Sequence, residues 1–267
     1  MKISVVTVAF NEEKNIGKTI ESVLNQTSNA IEYIICDGKS TDGTVERANS
    51  YKERFAKKGI EYIVNSEKDS GIYDGMNKGI DIATGDYIFF LNAGDWFYSD
   101  KIIEEIVNSA KENSSPDFIY GNVAFIERDV VKFVNGCEEE LYDRMSIPHQ
   151  ALFSSAQLMK QNKFDLKYKI AADYKFILSQ KILEKRFIKL DETIAFFSGG
   201  GLSNKRLVDM FKEHDDIQKE FGVFVERKYK KNEVYISQIK ATMKRFIPQK
   251  LWEIWSVKVR GKTLYKE

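Results

Sequence analysis

Asp86-Tyr87-Ile88-Phe89-Phe90-Leu91-Asn92-Ala93-Gly94-Asp95 joins two unlike halves. The first is an almost unbroken apolar run, the pattern of a strand buried on both faces rather than one alternating between core and water. The second has turn composition, with Asn and Gly closing on a carboxylate. A buried strand ending in a polar, acidic turn belongs to an open, mostly parallel α/β sheet, where ligands collect beyond the carboxyl ends of the strands.

Toward the N-terminus the same logic repeats. Short β-branched runs at 2–9, 31–37, 60–65 and 86–91 alternate with helical patterns at 12–26, 43–57 and 71–83, the order β-α-β-α-β-α-β. In the first helical pattern Ile16, Ile20, Val23 and Leu24 recur at helical spacing. Each strand runs into a polar segment: Phe10-Asn11-Glu12-Glu13, Asp37 through Gly43, Glu67-Lys68-Asp69-Ser70-Gly71, and Asn92 through Asp95. If the strands are parallel neighbours, these segments share one crevice.

Toward the C-terminus the pattern changes. A helix is expected near 99–113, strands near 117–126 and 130–135, a loop through Pro148-His149-Gln150 into a strand at 151–154, a helix at 171–186, and a strand at 187–197. That last strand leads into Ser198-Gly199-Gly200-Gly201-Leu202-Ser203, and residues 205–247 read as helices striped by Val208, Phe211, Ile217, Phe221 and Phe224. The expected organisation is a domain over 1–204 in two halves, to about 98 and from about 99, that hold different ligand groups, then a helical extension over 205–267.

Bulk properties narrow the class. The 267 residues are 43% hydrophobic and 30% charged with only 3 Pro, so one largely folded domain with little linker is expected. The net charge of +1 argues against nucleic acid as a partner, yet residues 240–267 carry eight Lys or Arg against Glu253 and Glu267. With Trp252 and Trp255 interleaved, that tail suits either an anionic membrane surface or docking on its own domain. Cys36 and Cys137 lack zinc-site spacing and read as reduced thiols. No window approaches 18 apolar residues and no cleavable signal precedes the first strand, so the expected location is the cytoplasm, with peripheral membrane contact through the tail.

Asp95 is the candidate metal ligand. A hard divalent ion takes oxygen ligands and keeps water or phosphate oxygens in its other positions, so one carboxylate beside a diphosphate suffices. The alternative is a turn in which Asp95 caps the next helix. Asp37, at the end of Ile31-Glu32-Tyr33-Ile34-Ile35-Cys36, suits hydrogen bonds from a ribose or base.

Thr7-Val8-Ala9-Phe10-Asn11-Glu12, Asp37-Gly38 followed by Ser40-Thr41-Asp42-Gly43-Thr44, and Leu91-Asn92-Ala93-Gly94-Asp95 together resemble the family-2 inverting glycosyltransferases. The resemblance spans roughly the first two-thirds of the chain. It implies a GT-A fold, a nucleoside-diphosphate sugar donor, Mg²⁺ or Mn²⁺, and inversion at the anomeric carbon. Carried over by position, Thr7, Ala9, Asn11 and Glu12 would line the nucleotide pocket, with Asp37 near the base, Asp69 near base or ribose, Asn92-Ala93-Gly94 at the diphosphate and Asp95 at the metal. Asn11 could instead cap a helix starting at Glu12, and Asp42-Gly43 could be only a turn. The chain departs from the family's multi-carboxylate turn at Asn92 and Gly94, which predicts that cation and nucleotide bind together.

Asp173, in Lys169-Ile170-Ala171-Ala172-Asp173-Tyr174, resembles the segment carrying the family's catalytic base. An inverting transfer needs a base beside the acceptor hydroxyl; the competing reading is a helix-start residue favoured by the macrodipole. His149-Gln150 resembles a feature of polysaccharide-building members and would touch acceptor or sugar, or else is a solvated loop. His214 reads as part of a polar helix face. Trp96 would pack on a sugar ring. The glycines around Gly200, with Ser203, suit either backbone contact to phosphate or a flexible connector. The expected activity is inverting transfer of one hexosyl or N-acetylhexosaminyl unit from a nucleotide sugar, with UDP the leading base, to a glycan or lipid-linked acceptor in bacterial surface polysaccharide synthesis. Nucleotide-sugar hydrolysis, nucleotidyltransfer and a non-catalytic nucleotide-binding role are the alternatives.

Overall fold

The structure, a computed structural model, describes residues 1–127, 130–198 and 206–224. Four parallel strands form its N-terminal half: β1 (Ile3–Ala9), β2 (Ile31–Asp37), β3 (Glu61–Ser66) and β4 (Tyr87–Phe90). Their order in the sheet is β3-β2-β1-β4, so the direction of winding reverses between β1 and β4. That reversal opens a crevice at the carboxyl ends of these two strands, because the connections leave them toward opposite sides. The central strands β1, β2 and β4 are fully buried, as their apolar runs require.

Helices cover both faces. On one, Ile16, Ile20, Val23 and Leu24 of α1 (Ile16–Leu24) pack on Ile3, Val5, Tyr33, Ile35 and Phe89. The helix expected over 43–57 divides into α2 (Thr44–Asn49) and α3 (Lys52–Lys58), with Ser50 and Tyr51 between them. The break lets Phe55 enter the core beneath Tyr33 and Tyr62, its ring centroid 4.4 Å from that of Tyr62. On the other face α4 (Ile72–Ile82) lies close to the sheet because two of its residues are glycine. A Cβ at Gly75 would come within 2.8 Å of Val8, and one at Gly79 would collide with Val6.

The C-terminal half extends the same sheet. After β4 come the two-residue β5 (Trp96–Phe97), α5 (Ile102–Glu112), β6 (Phe118–Glu127) and β7 (Val130–Val134). A 3-10 turn (His149–Ala151) leads to β8 (Leu152–Ser155), then α6 (Ala156–Gln161), α7 (Ala172–Ile182) and β9 (Phe187–Ser198). β8 pairs antiparallel with both β4 and β6, β9 runs parallel to β6, and β5 closes on β9. Sequence patterning missed β5 and α6, each too short for periodicity to register.

Of the helical extension, α8 (Leu207–Glu220) is described, and it docks on α7. His214 is buried there with its ring 4.4 Å from that of Tyr174, which corrects its reading as part of a polar helix face. The Gly199–Ser203 run and the basic tail of 240–267 lie outside the described residues. Among the described residues no helix is long and apolar enough to cross a membrane.

Candidate active site

A cleft of about 680 Å³ lies where the strand order reverses. Val8, Ala9, Phe10 and Glu12 line it from the end of β1, Gly38 from β2, Lys68 and Asp69 from β3, and Asn92, Ala93 and Asp95 from β4. Gly71 and Ile72 at the start of α4 complete that side, and Asn15 and Phe197 reach in from α1's approach and β9. All four polar strand ends therefore contribute, as parallel pairing demanded.

Hydrogen bonds between successive loops hold the floor rigid. Asn11 sits at φ 54°, donates its N–H to the Ser40 hydroxyl at 2.8 Å, and accepts the Thr41 N–H on its side-chain oxygen at 2.9 Å. It ties the β1 loop to the β2 loop and caps nothing, since α1 begins only at Ile16. Glu12 donates its N–H to Thr44 and accepts the Asn15 amide at 2.7 Å. Asp42 accepts the Thr44 N–H at 3.0 Å, a local turn before α2.

Two residues expected on the wall lie beneath it. Thr7 is fully buried, its hydroxyl donating to the Leu91 carbonyl at 2.6 Å and lying 2.9 Å from the Tyr33 hydroxyl. The Asp37 carboxylate is 2% exposed and accepts the Ser40 N–H at 3.0 Å and the Ser66 hydroxyl at 2.6 Å, so it braces the loop that carries Gly38. Asp37 ends β2 and Thr7 lies two residues before the end of β1; which face each side chain takes was decided by the pleat. Asp69 does reach the cleft, with Gly38 making room: a Cβ there would lie 2.7 Å from the Asp69 carboxylate.

In the Asn92–Asp95 turn, Gly94 has φ 96°, a value side chains avoid, and its N–H donates to the Thr19 hydroxyl at 2.9 Å. Asp95 is 3% exposed yet lines the cleft, and the next element is β5 rather than a helix, so it caps nothing. Among the described residues no three His, Cys, Asp or Glu form a metal-binding group. Trp96 is not on the cleft wall: the Lys18 ammonium lies 3.3 Å from its ring centroid and Phe196 stacks on it at 5.1 Å. A sugar ring finds those faces already covered.

The second half of the site adjoins Asn92. The Asn92 amide nitrogen lies 3.1 Å from His149 Nε2, and His149 Nδ1 lies 3.0 Å from Asp173 Oδ2. The other Asp173 oxygen accepts the Tyr73 hydroxyl at 2.8 Å and the Tyr174 N–H at 2.9 Å. Burial disfavours the charged form of Asp173, but the hydrogen bond and charge of His149, with the Tyr73 and Tyr174 donors, outweigh it and hold the carboxyl below its usual range. Asp173 also sits in the first turn of α7, so the helix-start reading holds alongside. Gln150 is buried at the 3-10 turn. Gly200 and Ser203 lie outside the described residues.

Comparison with known proteins places this architecture. Residues 4–187 match the sequence profile of Glycosyl transferase family 2. The chain belongs to that family. It is 28% identical over 207 residues to a PGL/p-HBAD biosynthesis glycosyltransferase of Mycobacterium tuberculosis, covering 75% of this chain and 78% of the relative. It is 32% identical over 197 residues to a poly(ribitol-phosphate) beta-glucosyltransferase of Bacillus spizizenii, covering 70% of this chain but 30% of that one. Among solved structures, S. aureus TarS 1-349 in complex with UDP-GlcNAc superposes with a TM-score of 0.64 at 18% identity, over 81% of this chain and 65% of that chain. A mannosyltransferase from Pyrobaculum calidifontis in complex with GDP-Man and Mn²⁺ gives 0.57 at 15%, over 80% and 64%. The fold of this family 2 glycosyltransferase is thus GT-A-like.

Three wall residues of the glycosyltransferase lie outside the segments singled out from sequence: Asn15, Ile72 and Phe197. Lys68 stands beside Asp69 in the polar segment after β3, and the strand-end rule that picked Asp69 applies equally to it. Asn15 and Phe197 carried no such signal, because the folding of α1's approach and β9 brings them in.

Proposed function

We propose that the protein transfers one sugar, with inversion, from a UDP-sugar to a hydroxyl of a glycan or lipid-linked acceptor in surface polysaccharide synthesis, with Asp173 as the base. The observation that carries the proposal is the chain Asn92–His149–Asp173, with links of 3.1 and 3.0 Å, which joins a half-buried carboxylate, 13% exposed, to the turn ending at Asp95. A base and a leaving-group site joined in this way suit a single displacement.

In that displacement the acceptor oxygen bonds to the anomeric carbon as the carbon–phosphate oxygen bond breaks, and the electron pair leaves on the diphosphate. The acceptor proton passes to Asp173, which is ready to receive it because it is ionised at neutral pH. His149 fixes the orientation of Asp173 Oδ2, while Tyr73 and Tyr174 fix Oδ1. Lys68 and the N-terminus of α4 at Gly71 face the diphosphate with positive potential, and Asp69 with Glu12 lines the nucleoside side. A buried carboxylate on the cleft wall fits one hard divalent cation whose remaining ligands are phosphate and water oxygens. Asp95 would hold it as Mg²⁺ or Mn²⁺, which when bound neutralises charge on the departing diphosphate.

Thermal shift with UDP, GDP, CDP and dTDP, each with and without Mn²⁺, tests the donor and the cation together, since ligand binding raises apparent stability by mass action. The expected result is a shift with UDP plus Mn²⁺ larger than the two separate shifts combined. Stabilisation by Mn²⁺ alone would remove the shared-site reading, and no response to UDP would remove the donor assignment. Release of UDP from UDP-GlcNAc at a rate that no glycan acceptor alters would favour hydrolysis over transfer.

A further inference from the structure

α8 lies beyond residues 4–187, the part of the chain that matches the family, yet it touches the segment that carries Asp173. Glu213, in the middle of α8, turns its carboxylate onto three consecutive backbone amides. It accepts the Lys169 N–H at 3.0 Å, the Ile170 N–H at 2.9 Å and the Ala171 N–H at 2.9 Å. Ala171 is the N-cap of α7 and makes no side-chain cap hydrogen bond. An alanine there has no side-chain acceptor for the helix's leading amides, a duty that Ser, Thr, Asp or Asn commonly performs at helix starts in general. Glu213 supplies a carboxylate from another helix just ahead of that position, where negative charge also meets the positive end of α7.

Asp173 is two residues past the last clamped amide. From the opposite side, the Tyr73 hydroxyl lies 2.7 Å from the Ile170 carbonyl and 2.8 Å from Asp173 Oδ1. The segment 169–171 is therefore held by its N–H groups from α8, and the single Tyr73 hydroxyl proton of α4 lies between the Ile170 carbonyl and Asp173 Oδ1. The proposed base hangs from its end within 3.0 Å of His149. We propose that Glu213 is a positioning residue for Asp173: by fixing the backbone of 169–171 it sets the Asp173–His149 contact, so that α8 is a working part of the transferase site.

Docking of α8 and the clamp rest on different residues. Ile217 is fully buried, Gln218 donates to the Tyr142 carbonyl at 2.7 Å and lies 2.9 Å from the Tyr174 hydroxyl, and Glu220 accepts the Tyr168 hydroxyl at 2.7 Å. Glu220 also pairs with Lys175. Removing Glu220 therefore weakens the helix's hold without touching the three amides, whereas removing Glu213 frees the amides and leaves the other ties in place.

The inference rests on the reading of Asp173 as the base only for its effect on turnover, and the test keeps the two apart. The full chain, labelled with ¹⁵N-histidine, contains two histidines, so His149→Gln assigns the His149 Nδ1 proton held by Asp173. In Glu213→Ala that proton is expected to exchange with water at least tenfold faster or to disappear from the spectrum. Glu213→Gln, which keeps one accepting oxygen, should fall between Glu213→Ala and wild type, and Glu220→Ala should keep the wild-type signal despite a comparable fall in Tm. With UDP-GlcNAc and Mn²⁺, Glu213→Ala should release UDP at least tenfold more slowly at saturation, with UDP affinity within twofold of wild type. An unchanged His149 signal in Glu213→Ala overturns the inference, as does an equal change in Glu220→Ala. Failure of the wild type to turn over UDP-GlcNAc counts against the donor reading alone, because the histidine signal decides the clamp without a donor.

Discussion

Asp173→Asn is the sharpest test of the site because it removes the negative charge and nearly keeps the side chain's shape. The Asn oxygen still accepts from Tyr73 and the Tyr174 N–H, as Asp173 Oδ1 does at 2.8 and 2.9 Å. The new amide nitrogen, however, faces His149 Nδ1 at the 3.0 Å where a carboxylate oxygen now sits. Two donors cannot share that contact, so the imidazole must move its proton to Nε2 and accept from the amide at Nδ1. Nε2 then meets the Asn92 amide nitrogen 3.1 Å away, and Asn92 must turn over to offer oxygen instead. Its oxygen is free to do so, being buried with no hydrogen-bond partner. The turned Asn92 NH₂ then lies buried where its oxygen had no partner, so stability should fall by about 1–3 kcal/mol, the cost of one buried, unpaired donor group. Activity should fall by more, because the variant cannot take a proton: about 10²–10⁴-fold in kcat, or about 3–5 kcal/mol of barrier. Single-turnover UDP release, with the nucleotide sugar that most stabilises the wild type and an active acceptor, measures the loss, and ¹⁵N-histidine spectra report the tautomer. Retention of more than a third of the wild-type rate by folded protein would refute Asp173 as base, and an unchanged His149 tautomer would refute the hydrogen-bond chain.

Other perturbations probe separate parts of the molecule. Asp95→Asn should abolish the extra thermal shift that UDP and Mn²⁺ give together while leaving Tm without ligand within a few degrees; an undiminished joint shift would assign the cation elsewhere. Lys68→Ala should weaken UDP binding by about 1–2 kcal/mol, the scale of a lost charge-assisted contact, as read by calorimetry, and equal affinity would take Lys68 off the diphosphate path. Glu32, fully buried at the opposite end of the strands, has its carboxyl held down at about 2: burial alone would raise it, but donors from Ser4, Thr84 and Lys2 prevail. A depressed acid stabilises the fold fully above its unfolded value of 4.5 and loses that contribution as pH falls through about 2. The Glu32→Gln deficit, at most about 3 kcal/mol in urea titrations at neutral pH, should therefore shrink on acidification; a deficit independent of pH would contradict the assignment. Gly79→Ala should destabilise by about 1–3 kcal/mol through its clash with Val6, and a neutral Tm would show that α4 can back away from the sheet.

The sheet was legible because its cause is periodic. Buried runs such as Val5, Val6 and Ile34, Ile35 leave no other way to be covered than helices on both faces, and the strand-end rule then located the cleft. What the rule could not supply was the facing of individual side chains. Thr7 and Asp37, expected on the wall, point beneath the floor, and Trp96 lies one residue past Asp95 yet is covered by Lys18 and Phe196. A shift of one residue along a strand exchanges wall for core, and no single sequence states which register tertiary packing selects. The Tyr73 and Glu213 contacts were illegible for a different reason. Their partners are 100 and 42 to 44 residues away, and hydrogen bonds to backbone amides leave no mark on the identity of the residues that donate them.

The departure from a multi-carboxylate turn acquires a physical meaning from Asn92. A carboxylate at position 92 would lie against His149 Nε2 and, through that ring, compete with Asp173 for the same imidazole proton. It would also stand three residues from Asp95 in a buried turn, where two like charges without a bound cation raise each other's pKa. An amide avoids both conflicts: it offers His149 a neutral partner and leaves Asp95 as the turn's single anion. On the proposed reading a cation held by Asp95 and the donor's phosphates would couple the two ends of the reaction, since it would lie near Asn92, which contacts His149 and through it Asp173. Asn92→Asp therefore makes opposite demands on the two ends. It should strengthen Mn²⁺ binding without nucleotide, visible as a thermal shift with Mn²⁺ alone, and at the same time lower kcat by drawing the His149 proton away from Asp173. A variant that gained metal affinity and kept wild-type kcat would break the link between the turn and the base.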